Sequence, residues 1–388
     1  MRFVFVSNYY THHQSALSER LYDKLGDNYK FIQTEHMDEE RLKMGWIESI
    51  PPFVIESYKS DESYREAVRL IQSADVVVIG SAPKYMERMR LQTGKLTIKY
   101  SERIYKPSYQ RYKNFLRVFK YYFEFHKFNN LFLLCASAYA YADYAKSGLF
   151  KNKAFKWGYF PTVKKYDDIE ELIDDKTPAS ILWVARLIEL KHPDASIRLA
   201  KRLKQAGYKF KLSLIGNGEL ENKIRDMIKA ENLEDCVQML GSMKPEEVRR
   251  YMEQSEIFLF TSDFNEGWGA VLNESMNSAC AVVASHAIGS VPFLIDDGEN
   301  GFIYKNGDER DLFKKVKYLL DNPKKCSDMG KNAYASLMTT WNADVAGDRL
   351  LTICSGLLKG ENVNDIYIGG PCSMAKKIKN NWYKSNND

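Results

Sequence analysis

Nowhere in these 388 residues is there an unbroken apolar stretch of about 18, the length a membrane-crossing helix requires, so no spanning segment is expected. A secretory leader is not expected either. Met1-Arg2 runs straight into Phe3-Val4-Phe5-Val6, too short for a signal core and suited to a first strand. The six cysteines (Cys135, Cys236, Cys280, Cys326, Cys354, Cys372) form no C-x-x-C pair, which argues against a disulfide framework or zinc site and for reduced thiols in a cytosolic protein. No D-x-D stands where it could carry a catalytic divalent ion, and no Ser, His and Asp follow in triad-like order. Internal repeats and low-complexity tracts are also lacking.

With 45% hydrophobic residues the chain has ample material for cores, and its length suits two or three domains. The net charge of +5 is mild, so where it sits matters more than its size. Short apolar runs alternate with longer amphipathic segments, the pattern of doubly wound α/β sheets. Strands are expected over residues 3–7, 30–33, 76–80, 96–99 and 131–136, and again over 180–184, 211–216, 237–240, 257–261 and 281–285, with a helix over 61–73. The acidic run Asp167-Asp168-Ile169-Glu170-Glu171, closing on Thr177-Pro178, reads as a linker helix ahead of a new first strand. Two domains follow: residues 1–165, completed by 365–388, and residues 166–364.

The most informative stretch is Phe264-Asn265-Glu266-Gly267-Trp268-Gly269-Ala270-Val271-Leu272-Asn273-Glu274, two carboxylates eight positions apart around a Gly-x-Gly turn between a strand and a helix. Such a turn aims backbone N–H groups at an anion. Carboxylates repel a diphosphate, so Glu266 and Glu274 read as acceptors for hydroxyls. The plainer reading is a solvated loop Glu and a helix-start Glu favoured by the macrodipole. Earlier, Arg186 and Lys191 stand in the loop after the strand at 180–184, where a guanidinium fork and an ammonium suit a diphosphate; they read equally as surface cations. Gly216-Asn217-Gly218 is a second strand-to-helix turn, one that lets backbone approach a ligand closely.

In this order the pieces resemble the C-terminal half of family-4 glycosyltransferases, retaining enzymes of the GT-B fold and similar to the group 1 glycosyltransferases of bacterial polysaccharide synthesis. Six motifs carry the resemblance over residues 180–341: Arg186/Lys191, Ile215-Gly216-Asn217-Gly218, Leu240-Gly241-Ser242, the Glu266-to-Glu274 element, Gly289-Ser290-Val291-Pro292, and Asp297-Gly298-Glu299-Asn300-Gly301-Phe302. The resemblance implies two Rossmann-like domains facing across a cleft and a nucleoside-diphosphate sugar as donor. Arg186 and Lys191 would hold its phosphates and Glu274 the ribose diol. Glu266 and the amides of Gly267, Trp268, Gly269, Ala270 and Val271 would meet the transferred sugar and distal phosphate. It also implies front-face transfer that needs no protein nucleophile, cofactor or obligatory metal. Where the family often has Glu after its Val-Pro, this chain has Phe293, so that loop is expected to offer backbone contacts only.

The first half matches more loosely, as an acceptor domain would. His12 and His13 follow the first strand, where an imidazole could touch the diphosphate or an acceptor hydroxyl or simply begin a helix. Many relatives carry a His near the transferred sugar; the corresponding place here reads Lys99-Tyr100-Ser101-Glu102-Arg103, similar to a string in some bacterial polysaccharide glycosyltransferases. Glu102 becomes the acceptor-side candidate, unless it only pairs with Arg103 or Lys106.

Residues 100–130 hold seven Lys/Arg against two Glu, interleaved with eleven aromatic residues. That composition suits an anionic membrane surface, and equally a half-buried helix with a cationic face. Nucleic acid fits less well, since no recognised module accompanies the charge. The tail over 376–384 adds a second basic-aromatic contact or a terminal helix crossing back onto the first domain.

The resulting expectation is a cytoplasmic glycosyltransferase, with possible attachment to the inner face of the membrane, that moves a sugar to a glycan or lipid-linked acceptor. Two alternatives stay open: a nucleotide-sugar 2-epimerase-like enzyme of the same fold, and a non-catalytic partner subunit of another transferase.

Overall fold

The computed structural model describes residues 1–37, 49–106 and 111–384. The chain forms two compact units, Met1–Thr162 with Thr340–Lys379, and Val163–Thr339 with the residues from Asn380 onward.

The first unit is built on a seven-stranded parallel sheet: β1 (Phe3–Ser7), β2 (Tyr29–Gln33), β3 (Val54–Glu56), β4 (Val76–Ile79), β5 (Thr97–Ser101), β6 (Leu131–Cys135) and β7 (Ala154–Lys156), in the order β3-β2-β1-β4-β5-β6-β7. β1 and β4 are buried along their whole length, as expected of parallel strands covered on both faces. Val4, Val6, Ile32, Val77 and Ile79 pack with Ala67 and Ile71 of the Asp61–Ser73 helix. That helix starts where Ser60 and Ser63 cap one another reciprocally, Ser63 N to Ser60 Oγ at 3.1 Å and Ser60 N to Ser63 Oγ at 3.0 Å. Its C-terminal end is closed by Arg90, whose guanidinium, 0% exposed, donates to the carbonyls of Ile71, Ala74, Asp75 and Leu96.

The second unit carries a six-stranded parallel sheet: β8 (Thr177–Val184), β9 (Lys211–Ile215), β10 (Val237–Gly241), β11 (Ser255–Phe260), β12 (Ala281–Ser285) and β13 (Phe302–Tyr304), ordered β10-β9-β8-β11-β12-β13. The acidic linker is a short helix, Ile169–Asp174, capped by Asp168. Ile181, Trp183, Leu212, Leu214, Ile257 and Leu259 form the centre of the core, with Ile197 and Leu203 of the Pro193–Gln205 helix on one side.

The expected return to the first unit at residue 365 is corrected: it begins at Thr340. The Ala343–Leu358 helix lies on the His12–Leu25 helix, with Gly347 so close to Arg20 that an added Cβ would stand 2.9 Å from its Cγ. Arg20 then grips Asp348 with two hydrogen bonds, 3.0 and 2.6 Å long. Beyond it, residues 372–375 line the free edge of β7, Lys156 N donating to Ser373 O at 2.7 Å and Ala375 N to Ala154 O at 2.9 Å. No helix forms over 376–384. Trp382 and Tyr383 instead sit beside His286 in the second unit, with Tyr383 Oη donating to Ile303 O. Of the basic, aromatic stretch at 100–130, residues 107–110 lie outside the described residues, and Arg111–Phe125 is a helix.

One buried cation organises the second unit's base. Lys176 Nζ donates to the carbonyls of Met252, Glu253, Ser255 and Ser278 at 2.8–3.2 Å, closing the ends of the Pro245–Gln254 and Val271–Asn277 helices together. Lys176→Met keeps the stem and strips the donors from these buried carbonyls. It is expected to lower unfolding free energy by about 3 kcal/mol, read as an earlier urea midpoint at unchanged slope.

Candidate functional site

Each sheet reverses its winding direction once, between β1 and β4 in the first unit and between β8 and β11 in the second. Open parallel sheets take ligands at such points, at the C-terminal ends of the strands. Both sets of candidate residues fall there.

In the second unit, residues 185–192 follow β8 and residues 261–270 follow β11. The two segments are tied together. The Trp183 indole donates to Thr261 Oγ1 at 2.8 Å, and that hydroxyl donates to the Lys191 carbonyl at 2.6 Å. Asp263 N donates to Leu190 O at 3.0 Å, and Glu266 N to Asp263 O at 3.0 Å. His192, held in the left-handed region at φ 49°, meets Asp263 Oδ2 through Nε2 at 3.2 Å. The outcome is that Lys191 and Glu266, 75 positions apart, form a largely buried ion pair. The sequence assigns these two residues separate tasks, and the fold makes them partners. Arg186 stands exposed just before them.

The Gly216-Asn217-Gly218 turn faces the protein's own backbone. A Cβ on Gly216 would fall 1.9 Å from Ala185 O, and one on Gly218 2.5 Å from Leu187 O; both glycines also have positive φ. Leu187 N donates to Asn217 O at 2.8 Å and Leu220 N to Leu187 O at 2.9 Å. This turn therefore buttresses the Arg186 loop; the space the sequence reading reserves for a ligand is filled by residues 185–187.

Gly269 has φ +81°, and a Cβ there would strike the Phe260 ring at 2.2 Å, so both the conformation and the space demand glycine. Trp268 is 0% exposed, its indole donating to Asn273 Oδ1 at 3.0 Å and its carbonyl accepting from Ser290 Oγ at 2.6 Å. Phe293, standing where relatives often have Glu, packs against that indole at 6.3 Å between centroids. Ala270 and Val271 lead into the Val271–Asn277 helix. Glu274 lies in its first turn; burial pushes its carboxyl up from the ordinary range, with Arg249 opposing.

In the first unit a cavity of about 460 Å³ opens over the ends of β1, β4 and β5. Glu102, at the end of β5, lines it. Its carboxylate accepts from Tyr159 Oη at 3.0 Å and from Lys106 Nζ at 3.3 Å, while Arg103 turns away to Asp143 and the Tyr139 ring. Of the two pairings foreseen for Glu102, Lys106 is made and Arg103 is not. Lys99 pairs with Glu87 on another wall. His12 and His13 begin the His12–Leu25 helix with ring centroids 3.8 Å apart, and the His13 ring also meets Tyr159. Burial, reinforced by His12, pulls the His13 pKa down to about 3, so its imidazole is neutral at physiological pH. Tyr159 thus links His13 to Glu102, a contact no local pattern announces. The other residues sequence reasoning passed over are Thr261, Asp263 and His192. A His directly after Lys191, and a Thr and Asp closing a buried strand, are the signal that could have found them.

Residues 165–336 match the model of the family described as Glycosyl transferases group 1. Over that segment, which is less than half of the chain, the sequence is similar to the group 1 glycosyl transferases. Among similar curated proteins, the amylovoran biosynthesis glycosyltransferase AmsK of Erwinia amylovora is 32% identical over 185 residues, 46% of this chain and 45% of AmsK. A Campylobacter jejuni N-acetylgalactosaminyltransferase, whose name gives a diphospho-undecaprenol-linked sugar as its acceptor, is 35% identical over 144 residues, 37% of this chain and 38% of that enzyme. The match thus spans less than half the length of either relative. The crystal structure of Anabaena HepE in complex with UDP superposes with a TM-score of 0.68 at 14% identity, covering 92% of this chain and 100% of that one. The fold is GT-B, with two parallel-sheet α/β units. The motifs from Arg186 to Gly301 lie inside the group 1 segment; Glu102, His12 and His13 lie outside it.

His192 and Asp263 give the site a pH signature. The hydrogen bond that His192 donates to Asp263 raises the His192 pKa above the usual histidine value, against burial. Burial pushes the Asp263 carboxyl up, but the bonds from His192 and Asn265 outweigh it and hold it below the usual range. A raised His pKa contributes stability that is complete below about pH 6.5 and is lost as pH rises through the folded-state value. The lowered Asp pKa contributes stability above about pH 4 that is lost on acidification. Asp263→Asn is therefore expected to lower Tm most near pH 5.5 to 6 and progressively less above about pH 7.5, measured by thermal unfolding across that range.

Proposed function

We propose that the chain is a retaining glycosyltransferase that moves a sugar from a nucleoside-diphosphate sugar to a glycan or lipid-linked acceptor in bacterial surface polysaccharide synthesis. The observation that carries this reading is the Lys191–Glu266 pair, locked beside Arg186 at the reversal point of the second sheet, within a group 1 segment. An ammonium and a carboxylate in contact neutralise one another while the site is empty. An arriving diphosphate, with two negative charges to offer, competes for Lys191 together with Arg186. Glu266 is thereby released to accept a hydrogen bond from a hydroxyl of the donor sugar, and Glu274 accepts from the ribose diol.

In the step itself the bond between the anomeric carbon and the phosphate oxygen breaks, and its electron pair leaves with the nucleoside diphosphate. The acceptor oxygen bonds to the same face of the sugar, and its proton passes to the departing phosphate. Arg186 and Lys191 stabilise the charge that grows on the leaving group. Glu102, in the first unit, accepts a hydrogen bond from an acceptor hydroxyl. No protein nucleophile and no metal is called for. The relatives support the setting: AmsK is named for amylovoran synthesis, and the name of the Campylobacter enzyme puts its acceptor on diphospho-undecaprenol. Such an acceptor would bring the enzyme to the inner face of an anionic membrane. UDP in the HepE crystal illustrates the class of donor this fold accommodates.

Two measurements test the proposal. A thermal-shift panel of UDP, GDP, ADP and CMP and their sugars should yield at least one stabilising nucleoside diphosphate, since a ligand at about 100 times its Kd adds roughly 2.7 kcal/mol. Arg186→Ala should abolish that shift; an unaltered shift removes Arg186 from the site. With the productive donor and acceptor, Lys191→Ala should lower kcat/KM by about 10² to 10³-fold, equivalent to about 2–4 kcal/mol in the barrier.

A further inference from the structure

The Arg111–Phe125 helix of the first unit turns the wrong residues outward. Helices at a protein surface bury one stripe and show polar side chains on the other. Tyr121 and Phe125 satisfy the first half of that rule. Phe125 is buried, the two rings stack, Tyr121 meets Tyr144, and Lys99 lies over Phe125. On the opposite face, at positions i, i+3, i+4 and i+7, stand Leu116, Phe119, Lys120 and Phe123. Leu116 and Phe123 are each 66% exposed and Phe119 48%, values that belong to lysines rather than to large apolar side chains. Tyr122, 43% exposed, widens the strip, and Tyr85 of the neighbouring Lys84–Gln92 helix is 51% exposed.

Cations accompany this apolar strip. Lys120 contacts Lys84, at the start of that neighbouring helix, and this proximity holds the Lys120 pKa below the usual lysine range. Two ammonium groups in contact favour an anion over both. A groove of about 340 Å³ beside Tyr122 and His126 carries Lys151 and Lys153 on its walls. The strip also adjoins the acceptor-side cavity, because Lys84, Tyr121 and Glu124 line the same space as Glu102.

We infer that the Leu116–Phe119–Phe123 face enters an anionic bilayer surface, with Lys84 and Lys120 on the lipid phosphates, so that the head of a lipid-linked acceptor reaches the Glu102 cavity from the membrane side. Apolar side chains at the headgroup boundary and lysines at the phosphates are the two contacts a peripheral helix makes. Among the described residues no helix is long and apolar enough to cross a membrane, so attachment here is lateral. The direction of acceptor approach rests on the transfer reading given above; the attachment itself does not.

The test is co-sedimentation of the full chain with vesicles of phosphatidylcholine containing about 30% phosphatidylglycerol, beside vesicles of phosphatidylcholine alone. The protein should pellet with the anionic vesicles in about 0.05 M salt and be released in about 0.5 M salt. Lys120→Ser should weaken binding about fivefold, the equivalent of about 1 kcal/mol per cation at the surface. The double variant Leu116→Glu/Phe123→Glu should remain in the supernatant, with its nucleotide-induced thermal shift retained as evidence of an intact fold. No pelleting of the wild type at low salt overturns the inference, as does undiminished pelleting of the double variant. So does a wild-type dimer by light scattering that the double variant converts to monomer, since the face would then be covered by a second copy. Vesicle binding requires no donor, so a chain that pellets but responds to no nucleotide would refute the transfer reading and leave the attachment standing.

Discussion

The hydrogen bond from Thr261 to the carbonyl of Lys191 is the contact on which the geometry of the second unit's candidate site depends. It joins the ends of two strands that are neighbours in the sheet but separated by two full β-α excursions in sequence. The Trp183 indole fixes the hydroxyl from one side, so Thr261 has a single orientation in which to donate. Asp263 then holds Leu190 through its amide and His192 through its carboxylate. Once the two loops are clamped in this way, the Lys191 ammonium and the Glu266 carboxylate have no choice of neighbour. The glycines of the 216–218 turn press on the same loop from below. The chemistry of the site is thus set by backbone carbonyls and a buried hydroxyl before any charged group is considered.

The Lys191–Glu266 pair is static and mutually neutralising. An unpaired lysine in a half-buried pocket would lose hydration without compensation, and an unpaired glutamate would do the same. Paired, each is held in place and the two charges largely cancel. The cavity of the first unit follows the same logic, with Lys99 on Glu87 and Lys106 on Glu102, so its walls present hydrogen-bonding groups with paired charges.

Much of the architecture was legible in the amino-acid order because buried parallel strands are written as continuous apolar runs. Val76 to Ile79 and Ala281 to Ser285 could hardly be anything else. The strands that escaped notice are β3, β7 and β13, each three residues long and at or near a sheet edge, where length and hydrophobicity are both too small to mark them. The glycines told a half-truth. Gly216 and Gly218 advertise a close approach, yet nothing local says whether a ligand or another loop does the approaching. The Trp268 side chain, between two glycines, is core packing with Asn273 as its partner, which no local pattern announces. The pairing of Lys191 with Glu266 and the bridge from His13 through Tyr159 to Glu102 were out of reach, since each joins segments that only the sheet order brings together.

The path of the backbone between the two units has a consequence for how the molecule comes into being. Emerging from the ribosome, the first sheet is complete by residue 156, but the Ala343–Leu358 helix that covers its first helix, and the residues that line β7, are translated only after Val163–Thr339 of the second unit. The earlier-made body must therefore wait, with an apolar helix flank and an open strand edge, while the later-made one folds. Vectorial synthesis leaves the nascent first unit in need of shelter, begun first yet still incomplete when the second unit's sheet has been made.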